Sequence, residues 1–130
     1  SKKAKADKIR PAAIALVIRQ GQPIIAAIAR YQADHQGRAP DTLKALTPEY
    51  LPTLPTPGPL AHDGWHYLAG HDAVATAGGW SLFVVVNDAY SPQRYSFGDV
   101  LVYHPSGAYP HAVYGGILHE RHGEWAYYLE

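Results

Sequence analysis

The chain has 130 residues, no Cys and no Met, and its 11 Lys plus Arg balance its 11 Asp plus Glu. That length suits one domain, and an apolar share of 47% with ten Tyr and three Trp excludes global disorder. A neutral balance leaves no basic surface for counterion release from phosphates, so no nucleic-acid partner is expected, and the absence of Cys excludes disulfides, thiolate zinc sites and thiol catalysis.

Residues 1–9 carry the one charge asymmetry: Lys2, Lys3, Lys5, Lys8 and, just beyond, Arg10 face only Asp7. They read as a solvated, frayed start, or as a stub next to a membrane. Because residue 1 is Ser, we expect the natural protein to begin earlier, with any signal or anchor preceding it. Uninterrupted apolar runs such as Ile14 to Ile18 fall far short of the roughly 20 residues that span a bilayer. Membrane contact is therefore expected only through that earlier segment.

A helix is expected over residues 10–36. Ile14, Ile18, Gly21, Ile25, Ile28 and Gln32 recur at spacings of three and four, one stripe of a helix, widened by Val17, Ile24 and Tyr31. Ile18, Ile25 and Ile28 should be buried against the last strands. Gly21 and Pro23 are weak points, since an interior proline removes one backbone hydrogen bond. The stripe keeps its phase through them, which favours one kinked helix. Gly37 suits a left-handed cap at its end.

Residues 37–60 are dense in proline, which bars both helix and central strand from Pro52 to Pro59. Asp41 can cap a short helix through Leu46, and Pro48 can open a further turn. Leu46, Tyr50, Leu51 and Leu54 are apolar enough to lie on a core, so an ordered wrap is expected rather than a tether.

Residues 61–130 show short β-type runs at Trp65–Ala69, Trp80–Asn87, Val100–His104, Ala112–His119 and Glu124–Leu129, separated by turn residues. The last two runs flank Arg121-His122-Gly123, a hairpin signature. Strand does not alternate with helix. The expected fold class is α+β: a long N-terminal helix on a C-terminal antiparallel sheet.

Residues 22–55, QPIIAAIARYQADHQGRAPDTLKALTPEYLPTLP, carry a family pattern. Tyr31, Asp34-His35, Gly37-Arg38-Ala39-Pro40, Leu43, Leu46, Pro48, Tyr50-Leu51 and Leu54-Pro55 resemble the region after the membrane helix in type II secretion major pseudopilins and related pilin-like proteins. The resemblance implies a periplasmic headpiece, anchored in the inner membrane, that packs with copies of itself or with pilin-like relatives. Ala39 stands where that pattern has an aromatic. The family's calcium ligands find no counterpart here, because Asp88 and Asp99 lie in different runs.

The histidines invite a metal reading. His119 and His122 frame His-Glu-Arg-His, and His62, Asp63, His66, His71 and Asp72 crowd a second stretch. Zinc needs three or four convergent ligands. On the turn expected at His119–His122 the two imidazoles do not share a helix face, and His66 should point opposite to Trp65 and Tyr67. No metal and no cofactor is expected. Ser81, Ser91, Ser96 and Ser106 lack a nucleophile-elbow setting, Glu120 and Glu124 flank a turn, and Gly78-Gly79 lacks the spacing and Lys of a phosphate loop. No enzymatic activity is expected.

What remains is aromatic and apolar surface. Trp125, Tyr127 and Leu129 should share the inner face of the last strand, leaving Tyr128, with Tyr103, Tyr109 and Tyr114, partly exposed. The expected function is non-catalytic assembly with other proteins in the cell envelope, through Ile14, Ile18 and Ile25 on the helix and Tyr103, Tyr114 and Tyr128 on the sheet. The alternative is a periplasmic binding or immunity-type module that blocks another protein.

Overall fold

A computed structural model describes residues 1–93 and 97–130. One helix, α1 (Lys2–Asp34), packs on a six-stranded antiparallel sheet of β1 (His66–Ala69), β2 (Trp80–Val85), β3 (Val100–Tyr103), β4 (Ala112–Val113), β5 (Gly116–His122) and β6 (Trp125–Leu129). The strand order is β1-β2-β3-β6-β5-β4. The α+β arrangement is the expected one.

The helix starts eight residues before the expected boundary. Lys and Ala are strong helix formers, the Ser1 hydroxyl accepts from the Ala4 N–H at 3.2 Å, and Lys3 pairs with Asp7 one turn on at 3.4 Å. Ala6 is fully buried, while Lys3, Ala4, Lys5, Asp7 and Lys8 are exposed, so the basic start is helical with most of it in solvent. Pro11 and Pro23 both lie inside the helix and both are exposed. Each lacks the N–H that the residue four earlier would accept from, and on the exposed face water can hydrate that freed carbonyl. At the far end the left-handed conformation begins at Gln36 (φ 55°) and continues at Gly37 (φ 85°), whose N–H donates to the Gln32 carbonyl at 2.8 Å. That bond closes the helix in the manner of a Schellman cap.

The inner face of the sheet is built by alternation. Trp80, Leu82 and Val84 on β2, Leu101 and Tyr103 on β3, and Trp125 and Tyr127 on β6 meet Ile14, Val17, Ile24 and Ile28 of α1. Ile18 and Ile25, expected to be buried, are half-buried on the flank of this line. The reason is Gly21: its bare Cα admits the Trp125 indole, which draws the Val17–Gly21–Ile24 line inward and rolls Ile18 and Ile25 aside.

The proline-rich segment is an ordered wrap. Leu43–Leu46 forms a single 3-10 turn with Leu46 fully buried, and Tyr50, Leu51 and Leu54 pack on the same core. Thr42, not Asp41, occupies the capping position, without a side-chain hydrogen bond. The wrap is tied at both ends, by the Trp65 indole N–H donating to the Pro55 carbonyl and the Tyr67 hydroxyl to the Pro40 carbonyl, each at 2.7 Å.

Two strand expectations change. The run Ala112–His119 is two strands, because Tyr114 and Gly115 both take positive φ (59° and 76°), the geometry of a tight two-residue hairpin turn. β5 then runs on to His122, with a register shift between Leu118 and Glu120. The outer face of the sheet is also covered. Residues 104–114 fold back across it, so Val100, Val102, Ala126 and Tyr128 form a second buried cluster with Phe83, Tyr109, Val113, Tyr114 and Leu118.

A buried carboxylate joins the loop after β2 to the end of the chain. Asp99 accepts from Ser91 Oγ (2.6 Å) and the Tyr127 hydroxyl (2.7 Å) on one oxygen, and from Gln93 Nε2 (3.0 Å) and the Glu130 N–H (3.1 Å) on the other.

Candidate functional site

The residues expected to mediate contacts, three on the helix and three on the sheet, are buried or half-buried in the fold. Ile14 belongs to the inner core, with Ile18, Ile25 and Tyr103 packed against it, and Tyr103 lies between Trp80 and Trp125. Tyr114 and Tyr128 are on the opposite face of the sheet. Tyr128, expected to stay partly exposed, is 1% exposed and donates its hydroxyl to the Pro110 carbonyl at 2.7 Å. The 104–114 segment that covers it gives no signal in β-periodicity, because its cover comes from a loop rather than from an element with a repeat.

The helix still has an uncovered side. Ala12, Ala15, Arg19, Ala26, Ala29 and Ala33 are all exposed and follow one another at helical spacing opposite the core line. Sequence reasoning looked for contact residues among the large apolar side chains; the complementary run of small ones was the available signal. By length and composition the helix could cross a membrane: within Lys3–Asp34 an 18-residue window reaches a mean hydropathy of 1.5. The unbroken run Ile14–Ile18 understated this, since the many alanines count toward hydropathy. In this fold 39% of that window is buried against the rest of the chain, and the core helix of a soluble protein has the same composition.

Where the basic start meets the sheet, Arg10 reaches inward with its side chain 10% exposed. Its guanidinium lies over the Tyr127 ring, 4.4 Å from the centroid, and donates to Glu120 Oε1. The same oxygen lies 2.9 Å from His122 Nε2. Burial alone would push the Glu120 carboxyl up, but the hydrogen bonds from His122 and Arg10, with the charge of Arg10, outweigh it and hold the carboxyl below its usual range. A carboxylate kept ionised is a poor proton donor, so this trio suits anchoring better than general acid catalysis.

The histidine clusters disperse. His119 and His122 lie on β5 rather than on a turn, and the His119 ring meets the edge of Tyr127. His66 does turn away from Trp65 and Tyr67, stacking on Phe83 at 5.1 Å and pairing with Asp63 at 2.6 Å, while His71 is fully exposed. Among the described residues no three His, Asp or Glu side chains converge as metal ligands do. Ser91 is held by Asp99 and Ser106 donates to the Thr76 carbonyl, so neither faces a histidine base; Ser96 lies outside the described residues.

Clefts among the described residues include two shallow ones. One, of about 320 Å³, lies at the end of α1 and is lined by Gln32, Arg38, Asp41, Gly70 and Gly79 among others. The other, of about 230 Å³, holds Tyr103, His104, Ser106, Arg121 and Glu124. Beside it His104 is buried, with its ring stacked on Tyr109 at 4.7 Å. Comparison with protein-family models, with curated proteins and with solved structures finds no match to this chain.

Proposed function

We propose that this chain is a non-catalytic cell-envelope protein that works by protein–protein assembly, in the manner of a pseudopilin-like component of a secretion or pilus system. On this reading it sits in the periplasm, held to the inner membrane by the segment leading into α1, and packs with copies of itself or with pilin-like relatives. The observation that carries it is the helix: one side of Lys2–Asp34 is committed to the sheet, while the other leaves Ala12, Ala15, Ala26, Ala29 and Ala33 uncovered, in two groups on either side of the exposed Arg19 and Pro23. Small side chains let two helix backbones approach closely, which is how long helices pack side by side in apolar surroundings.

The test exploits the absence of Cys from the chain. Single cysteines are placed at Ala15, Ala26 or Ala29 in the natural protein in its own cells, with Thr53, exposed on the wrap, as control. Oxidation should give cross-linked species at the helix positions well above the control. Equal cross-linking everywhere, or none, would overturn assembly through this face. A cross-link to one unrelated protein would instead point to the binding or immunity-type module.

A further inference from the structure

Beyond assembly, the outer face of the sheet carries a device of its own. We propose that His104 is a proton-operated latch: its neutral imidazole pins residues 104–114 across the outer face, and its protonation releases them and uncovers the apolar cluster beneath.

The geometry defines the closed state. His104 Nδ1 lies 2.8 Å from the Ala108 carbonyl, which only accepts, so Nδ1 carries the ring proton. Nε2 is then a lone-pair acceptor, and the Tyr114 hydroxyl donates to it at 2.5 Å. The His104 backbone N–H donates to the Tyr109 hydroxyl at 2.8 Å, and that hydroxyl donates to the Glu124 carbonyl. One ring therefore ties the covering segment at Ala108 and at Tyr114. The tie to Tyr114 also holds a residue that resists its own backbone: Tyr114 sits at φ 59°, a left-handed conformation costly for a bulky side chain. Release of its hydroxyl removes one of the contacts that hold it there, beside the hairpin pairing and the Phe83 and Tyr128 rings.

Protonation makes Nε2 a donor, so the Tyr114 hydroxyl must turn its hydrogen away. It also places a cation in a site 1% exposed. The groups facing the ring offer little compensation. Tyr109 stacks on it and Tyr114 caps it, both neutral. From β5, Arg121 places its guanidinium 4.4 Å from the Tyr109 ring centroid, a like charge on the far side. Glu124, from the turn before β6, is exposed and reaches the segment through its backbone carbonyl. Tyr103 and Tyr128 complete the surroundings, and burial raises both of their hydroxyl pKa values, keeping them uncharged. Desolvation pushes the His104 pKa below its ordinary value, only partly opposed by the Ala108 hydrogen bond. For a base depressed in the closed state, closure is fully favoured above the free-histidine value near 6.5 and is lost as pH falls from there toward the depressed value.

The experiment is amide hydrogen exchange of residues 105–114 from about pH 7 to about pH 5, corrected for intrinsic rates, with amides of β3 and β6 as internal reference. Exchange of the segment should rise several-fold relative to the reference as pH falls. His104→Gln should make it flat. Tyr114→Phe removes a donor that only the neutral ring accepts, so exchange of the segment at neutral pH should rise and its dependence on pH should shrink. Dye binding to exposed apolar surface should rise in step with exchange in the unmodified chain. A pH-independent segment, a pH response that persists in His104→Gln, or reference amides that exchange in step with the segment would each overturn the latch.

Discussion

A methyl group on Gly21 would lie 2.8 Å from Cζ2 of Trp125, closer than carbon atoms pack. Read as a helix weak point, Gly21 is instead a place where α1 packs directly on a β6 indole, and Trp65 stands beside the same indole with ring centroids 6.5 Å apart. Glycine inside a helix costs about 1 kcal/mol against Ala; here that cost admits the largest side chain of the core. Gly21→Ala gains the propensity term but must displace an indole packed on all sides, and overpacking costs about 1–3 kcal/mol. The expected net change is a loss of about 1–2 kcal/mol, read by denaturant unfolding. Gln22→Ala, exposed on the neighbouring position, should stay within about 0.5 kcal/mol. A stabilised Gly21→Ala variant would show that the helix stands further from Trp125.

The wrap gives a graded test. Leu46 is fully buried while Leu51 is half-buried, so Leu46→Ala should cost about 2–5 kcal/mol and Leu51→Ala about 1–2 kcal/mol. A tether would leave both within about 0.5 kcal/mol. Equal losses would mean that residues 47–54 lie deeper than their exposure indicates.

The fold was legible where one face of an element is buried and the other is not. Alternation on β6 separated Trp125 and Tyr127 from Ala126 and Tyr128, and the stripe of Ile14, Ile18, Gly21, Ile25 and Ile28, widened by Val17 and Ile24, marked the buried side of α1 but set the half-buried Ile18 and Ile25 too near its centre. It failed where burial comes from a loop. Nothing in the period of residues 104–114 says that they fold over Tyr128, and nothing at Lys2–Ile9 says that Ala6 will be covered. Side-chain pairs distant in sequence, such as Arg10 with Glu120 and His104 with Tyr114, were also out of reach. They depend on which strand lies beneath which turn, and no local pattern encodes that. Choosing Ile14 and Tyr128 as contact residues followed from treating large apolar side chains as surface when the domain needed them for its own core.

Metal removal offers a third check. Melts with and without a chelator should coincide to about 1 °C, since no described cluster supplies the three or four convergent ligands that a tight site needs. A chelator-induced drop of several degrees would mean that a metal bound only to the folded state stabilises it.

The last expectation concerns Arg10 and Glu120, which tie the start of α1 to the edge of the sheet. Glu120 titrates below its ordinary value in the folded chain. A carboxyl depressed by folding contributes stability that is present above the unfolded value of about 4.3 and lost as pH falls through the folded one. Stability should therefore decline on the acid side of about pH 4–5, and Glu120→Gln should flatten part of that decline. Because the Glu120 side chain is 33% exposed, water screens the pair and its worth lies below that of a fully buried one. Arg10→Ala removes more than charge: it strips the guanidinium from the Tyr127 ring and leaves Glu120 with His122 as its hydrogen-bond partner. The expected loss is about 1–3 kcal/mol at neutral pH, and it should shrink in the Glu120→Gln background, with the cation–π part of about 0.5–2 kcal/mol remaining. A double-mutant cycle measures that coupling directly. Additive effects of the two substitutions would mean that Arg10 acts through Tyr127 alone, and that the basic start of the helix is held by packing rather than by its charge.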